Sequence, residues 1–324
     1  MNAPAKLGLF GLGLIAVFAA TFGAGRLAGP DPAPAAHEED TMQHGTDQHG
    51  TDEHGATAAP QLPGGLQVAQ DGYRLDLLTP SLTTGKAEPV RFRILGPDGA
   101  AVTAYTENHE KDLHLILVRR DLTGFQHLHP ALGADGVWSL PVTVATAGQY
   151  RLLADFQPAA RDKNLTLGVD VPAPGTYGPQ PLPAVSRTAQ VDGYTVTLEG
   201  DLAPGTSSKV TLTVAKDGKP VTDLQPYLGA YGHLVALRSG DLAYLHVHPD
   251  GEPGDGRTQA GPQIVFYAEV PSAGAYRLFL DFQHEGVVRT AEFTLTTAGV
   301  AAPAASPATV PSPTPSHGHT GGHR

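Results

Sequence analysis

Residues His114–Pro130 read HLILVRRDLTGFQHLHP, and residues His233–Pro249 read HLVALRSGDLAYLHVHP. Two stretches this similar in one chain indicate duplication, and three more pairs keep the same order. DGYRLDLL at Asp71–Leu78 matches DGYTVTLE at Asp192–Glu199. PDGAAVT at Pro97–Thr103 matches KDGKPVT at Lys216–Thr222, and AGQYRLLADFQ at Ala147–Gln157 matches AGAYRLFLDFQ at Ala273–Gln283. The repeat therefore occupies residues 66–171 and 188–297, with the Pro-rich segment 172–187 between them.

Each half is built from short apolar or alternating runs such as Val90–Leu95, Leu113–Val118, Trp138–Val144 and Tyr150–Phe156. Asp-Gly, Gly-Pro and Pro-rich breaks separate the runs, and none carries a 3.6-residue apolar period. This predicts an all-β chain of two tandem antiparallel β-sandwiches of immunoglobulin-like size. The Cys pair of antibody domains is missing, because the chain has no Cys. The Asp-Gly pairs at 71, 98, 192 and 217 are predicted as turns.

Composition narrows the chemistry. The 324 residues carry 21 Lys plus Arg against 32 Asp plus Glu, a net charge of −11, which argues against nucleic acid as a partner. Without Cys there are no disulfides, thiolate metal sites or Cys nucleophiles, and two Met do not make a Met-rich Cu(I) carrier. No Gly-x-Ser-x-Gly, phosphate loop or His-Glu-x-x-His occurs, so the expectation is a protein that is not an enzyme.

The ends differ from the middle. Leu7–Gly25 is apolar and uncharged between Lys6 and Arg26, so residues 1–26 read as a membrane anchor or a signal peptide. Either reading places the remainder outside the cytoplasm, anchored in the cell envelope or secreted. Residues 27–65 contain QHGTDQHGTDEHG, which spaces His44, His49 and His54 evenly after His37. Residues 298–324 end with His317, His319 and His323. Neither tail has the apolar pattern needed to offset its ordering entropy, so both are predicted to be disordered. Their histidines read as weak metal collectors or as parts of a solvated spacer.

The strongest chemical signal is His-x-His-Pro, at His127, His129 and Pro130 and again at His246, His248 and Pro249. Residues i and i+2 of a strand share a face. A hairpin turning between Asp121 and Leu122 sets His114 opposite His129. The equivalent turn between Gly240 and Asp241 sets His233 opposite His248. Two three-imidazole sites are expected: His114, His127 and His129 in the first half, and His233, His246 and His248 in the second. Ile116, Val118 and Phe125, with Val235, Leu237 and Tyr244, extend the His faces as apolar stripes at the end of a sandwich core. Imidazole nitrogens without thiolate suit Cu(II) first and Zn(II) next. Asp155 and Asp281 hold equivalent places, as exposed strand positions or as carboxylates that ligate or orient a histidine. His109 and His284 have no counterpart in the other repeat and read as surface histidines or as an added local ligand.

The DLHLILVRRDLTGFQHLHP block resembles a motif of uncharacterised bacterial envelope proteins in which one or two Ig-like domains follow a signal or anchor. The domain is also loosely similar to periplasmic copper-resistance (CopC-like) and YtkA-like sandwiches. That resemblance covers about residues 66–297 and implies metal association outside the cytoplasm. The N-terminal His and Met clusters of the copper-resistance carriers are absent here, so their ligands are not carried over. Three functional readings follow. One is non-enzymatic copper handling or sequestration. Another is a structural or interaction module of the envelope with incidental or pH-sensing histidines. The last is a copper-dependent redox enzyme.

Overall fold

A computed structural model of the chain describes residues 62–245 and 247–297. The predicted membrane segment at 1–26, residues 27–61 of the His-containing linker, the tail at 298–324 and the predicted ligand His246 lie outside the described residues. Among the described residues no helix is long and apolar enough to cross a membrane.

The first repeat is a two-sheet antiparallel sandwich. One sheet holds β1 (Ala69–Gln70), β2 (Tyr73–Leu77), β3 (Glu88–Leu95), β7 (Val137–Val142) and β6 (Ala131–Leu132), in that spatial order. The other holds β5 (Gln126–Leu128), β4 (Leu113–Arg119), β8 (Gly148–Phe156) and β9 (Leu165–Ala173). The second repeat follows the same plan. Its larger sheet runs β10 (Thr188–Val191), β11 (Tyr194–Glu199), β12 (Ser207–Lys216), β17 (Gln263–Glu269) and β16 (Val247–Pro249), with β13 (Lys219–Pro220) against β12. Its smaller sheet runs β15 (Tyr244–Leu245), β14 (His233–Arg238), β18 (Ala275–His284) and β19 (Val287–Thr296).

Sequence chemistry explains the details. Asp71-Gly72, Asp192-Gly193 and Asp217-Gly218 close the β1–β2, β10–β11 and β12–β13 hairpins with positive φ at both residues. Asp-Gly tolerates this conformation, whose twist matches the flanking strands. Alternation fills the cores: Val90, Phe92 and Ile94 of β3 point inward in the first sandwich, as do Val210, Leu212 and Val214 of β12 in the second. Each sandwich also closes a corner with a tyrosine. The Tyr150 hydroxyl donates to the Thr146 carbonyl (2.8 Å), and the Tyr276 hydroxyl donates to the Ser272 carbonyl (2.6 Å). This back-bond four residues upstream is a hallmark of Ig-like sandwiches.

Strand β4 departs from alternation, since all seven of its residues are buried. Leu113, Leu115 and Leu117 enter the core of their own sandwich. Ile116 and Val118 point the other way. They join Leu122 and Leu153 in a cluster with Val235, Leu237, Leu242 and Phe279 of the second repeat, and Phe125 and Tyr244 pack against its edge. The apolar stripes expected at the end of each core are thus one seam between the repeats. The small sheets of both sandwiches pack face to face through equivalent residues. The strand reads as continuously apolar because it is covered on both sides.

Candidate metal centre

Pairing of β4 with β5 sets Leu115 opposite Leu128 and Ile116 opposite His127. The same register, carried one step further, sets His114 against His129. Three rings meet there. His114 Nδ1 lies 3.1 Å from His127 Nε2 and 3.2 Å from His129 Nε2. Among the described residues these three form a group whose ligand atoms all lie within 4.8 Å of one another. Imidazole nitrogens about 2.0–2.1 Å from a tetrahedral ion would stand about 3.3 Å apart. Two of the three separations are close to that edge.

The remote nitrogens fix the tautomers. His114 Nε2 donates to the Asn108 carbonyl at 3.0 Å, so Nδ1 of the neutral ring carries a lone pair. His127 Nδ1 donates to Asp281 Oδ2 of the second repeat at 2.8 Å, so Nε2 of its neutral ring also carries a lone pair. Two lone pairs then face each other across 3.1 Å, with His129 Nε2 at 3.2 Å from the first, a spacing into which a cation or a proton would fit. Burial pushes His114 down to about 3, partly opposed by its bond to the Asn108 carbonyl. Burial first, then the charge of His127, lowers His129 to about 3. Both rings are therefore neutral near pH 7, the state that binds a metal.

The second repeat contributes different groups from those its sequence predicts. His233 is paired with Asp281 across β14 and β18, and its Nε2 donates to the Leu228 carbonyl at 2.9 Å. Burial lowers His233 to about 4. Its ring stands 6.3 Å from His114, 6.2 Å from His127 and 5.1 Å from His109, centroid to centroid. His248, expected opposite His233, lies instead on β16 opposite Tyr267, in the other sheet, and is exposed. The cause is the point at which the chain changes sheets. In the first repeat β5 stays paired with β4 as far as Leu128. In the second, β15 stays paired with β14 only as far as Leu245, the counterpart of Gln126 and so two positions earlier. His248 still lines a cleft of about 230 Å³ that also holds His109, His114, His127, Asp155 and His233. The structure therefore gathers histidines from both repeats around one cleft, with a close three-nitrogen group in the first.

Neither carboxylate is an exposed strand position. Asp281 is 3% exposed, and Thr290 donates its hydroxyl to Oδ1 at 2.5 Å. Asp155 is half-buried opposite His114 and accepts from Thr166 at 2.7 Å. Nor is His284 a surface residue. It is buried, bonded through Nδ1 to the Tyr194 hydroxyl (2.7 Å) and through Nε2 to Asp223 (3.0 Å). His109 is half-buried beside His233 in a tight loop, with positive φ at His109 and Glu110. Asn108, Thr290 and Tyr227, the last between His129 and His233, have no sequence signal that marks them in advance.

No curated protein matches the chain. Solved structures align at low identity. The Yersinia pseudotuberculosis adhesin InvE aligns at 12% identity and TM-score 0.20, over 69% of this chain and 58% of that one. Invasin, a bacterial integrin-binding protein, aligns at 11% and 0.20, over 71% and 40%. The D0–D1 domain of intimin aligns at 12% and 0.20, over 69% and 97%. This chain thus spans less than two thirds of the first two structures, and no property of these proteins is carried over to it. The sequence itself matches one family twice, over residues 67–175 and 189–299, and the chain belongs to that family, described as a domain of unknown function (DUF8832).

Proposed function

We propose that this protein is a non-enzymatic metal-binding protein of the cell envelope, with one tight divalent-cation centre formed by His114, His127 and His129. The observation that carries this reading is the convergence of three nitrogens at 3.1 and 3.2 Å, two of them carrying lone pairs because the other nitrogen of each ring donates its N–H elsewhere. An all-imidazole donor set suits Cu(II) and Zn(II), and Cu(II) binds the tighter of the two in a given nitrogen site. Calcium and magnesium prefer oxygen-rich sites. The apolar run Leu7–Gly25 supports attachment to, or export across, a membrane, and the tail histidines would add weak, exchangeable binding.

The alternative is an envelope structural or interaction module in which a proton occupies the place of the metal. The contact of His127 with Asp281 favours it, because an imidazolium at His127 would donate from Nε2 to His114 Nδ1 at the same 3.1 Å. Titration of the full chain with Cu(II) and Zn(II) separates the two. The metal reading expects one tight ion per chain, lost in His129→Ala, above a weak tail background. Weak binding alone, unchanged in His129→Ala, favours the module.

A further inference from the structure

We propose that Asp281 is the positioning residue of the metal centre, so that ion binding and the docking of the two repeats form one linked equilibrium. This inference rests on the metal reading above. The ligands come from the first repeat, whereas the carboxylate that orients one of them comes from the second. His127 Nδ1 donates to Asp281 Oδ2 at 2.8 Å, and both side chains are 5% exposed. The other oxygen, Oδ1, takes the Thr290 hydroxyl, which holds the carboxylate in place.

Two residues before His127 and Asp281 in sequence, Phe125 and Phe279 stack with centroids 3.9 Å apart. One strand of each repeat thus runs along the seam with the aromatic pair and then the His–Asp pair in step. The first repeat has the same device in Asp155 and Thr166. In the second repeat that device serves the neighbour's ligand, while His248 has moved to the other sheet.

A carboxylate behind a ligating imidazole fixes ring orientation and raises the basicity of the ligand nitrogen. A cation on Nε2 in turn draws electron density from the ring and makes Nδ1–H a stronger donor. The ion therefore strengthens a bond across the seam. By reciprocity, a docked second repeat raises ion affinity by the same factor.

Cu(II) titration of the full-length wild type, Asp281→Asn and Thr290→Val tests this. Asp281→Asn is expected to keep one site per chain with affinity lowered about 10- to 100-fold. Its Cu(II) electron paramagnetic resonance spectrum should change as the His127 ring loses its anchor. Thr290→Val should act in the same direction but less, and it carries the test if Asp281→Asn does not fold. In wild type, Cu(II) should slow amide exchange along β18, on the far side of the seam. Wild-type affinity and spectrum in both variants, or β18 exchange indifferent to Cu(II), would overturn the proposal while leaving the metal centre standing. A wild type that binds no Cu(II) would overturn the metal reading itself.

Discussion

Phe125 of the first repeat and Phe279 of the second stack 3.9 Å apart and 3° from parallel, closing the apolar seam beside the histidine cluster. Phe279 is fully buried, and its other neighbours in the seam include Ile116, Val118 and Leu153. Truncation to Ala removes the stacking contact and leaves a cavity. Phe279→Ala should cost about 3–5 kcal/mol in urea unfolding. A cost below about 1 kcal/mol would mean that the two sandwiches do not depend on this seam.

Acid should unfold the metal-free protein early. His114 and His129 titrate near 3 and His233 near 4 when folded, against 6.5 for an ordinary histidine. The unfolded chain therefore binds more protons than the native one below about pH 6.5. Stability should be fully present above that pH and fall as pH drops toward 3. Thermal melts across pH 3–8 check this, and His114→Gln should flatten the slope. A melting temperature constant from pH 7 to 4 would show that these rings are not held neutral by burial.

His284 offers a contrast within the same fold. The Tyr194 hydroxyl and Asp223 occupy both of its ring nitrogens, so it serves as a packing residue. Tyr194→Phe leaves His284 Nδ1 without its donor and should cost about 1–3 kcal/mol of stability, while Cu(II) affinity stays at the wild-type value. A fall in affinity would connect His284 to the metal centre.

Removing His233 should have a milder effect than removing a ring of the close group. It lines the cleft, with a ring more than 6 Å from those of His114 and His127, and its Nε2 is committed to the Leu228 carbonyl. His233→Ala should keep one tight ion by calorimetry. Complete loss of binding would place His233 among the ligands.

Much of this arrangement is legible in the sequence, and the reasons it stops being legible are specific. The turn centre in HLILVRRDLTGFQHLHP sets the register of β4 on β5, because pairing in a hairpin follows from its loop. Asp-Gly marks the hairpins because few other pairs accept positive φ twice. Which face of β4 meets its own core is not legible, since LHLILV is apolar or neutral on both sides and alternation carries no signal there. The separate fates of His129 and His248 were hidden for a related reason. A two-residue difference in where the chain changes sheets leaves the His-x-His-Pro motif unaltered. Asp281 reads either as an exposed strand position or as a carboxylate that orients a histidine, and which histidine is not legible because the partner is 154 residues away in sequence.

The proposed cation centre is single in each chain and is made by the first repeat. Its most direct test is the Cu(II) stoichiometry of the full chain, measured by calorimetry for wild type, His129→Ala and His248→Ala. One tight ion is expected in wild type and in His248→Ala, and none in His129→Ala. Equal loss in both variants, or no tight ion in wild type, would contradict it.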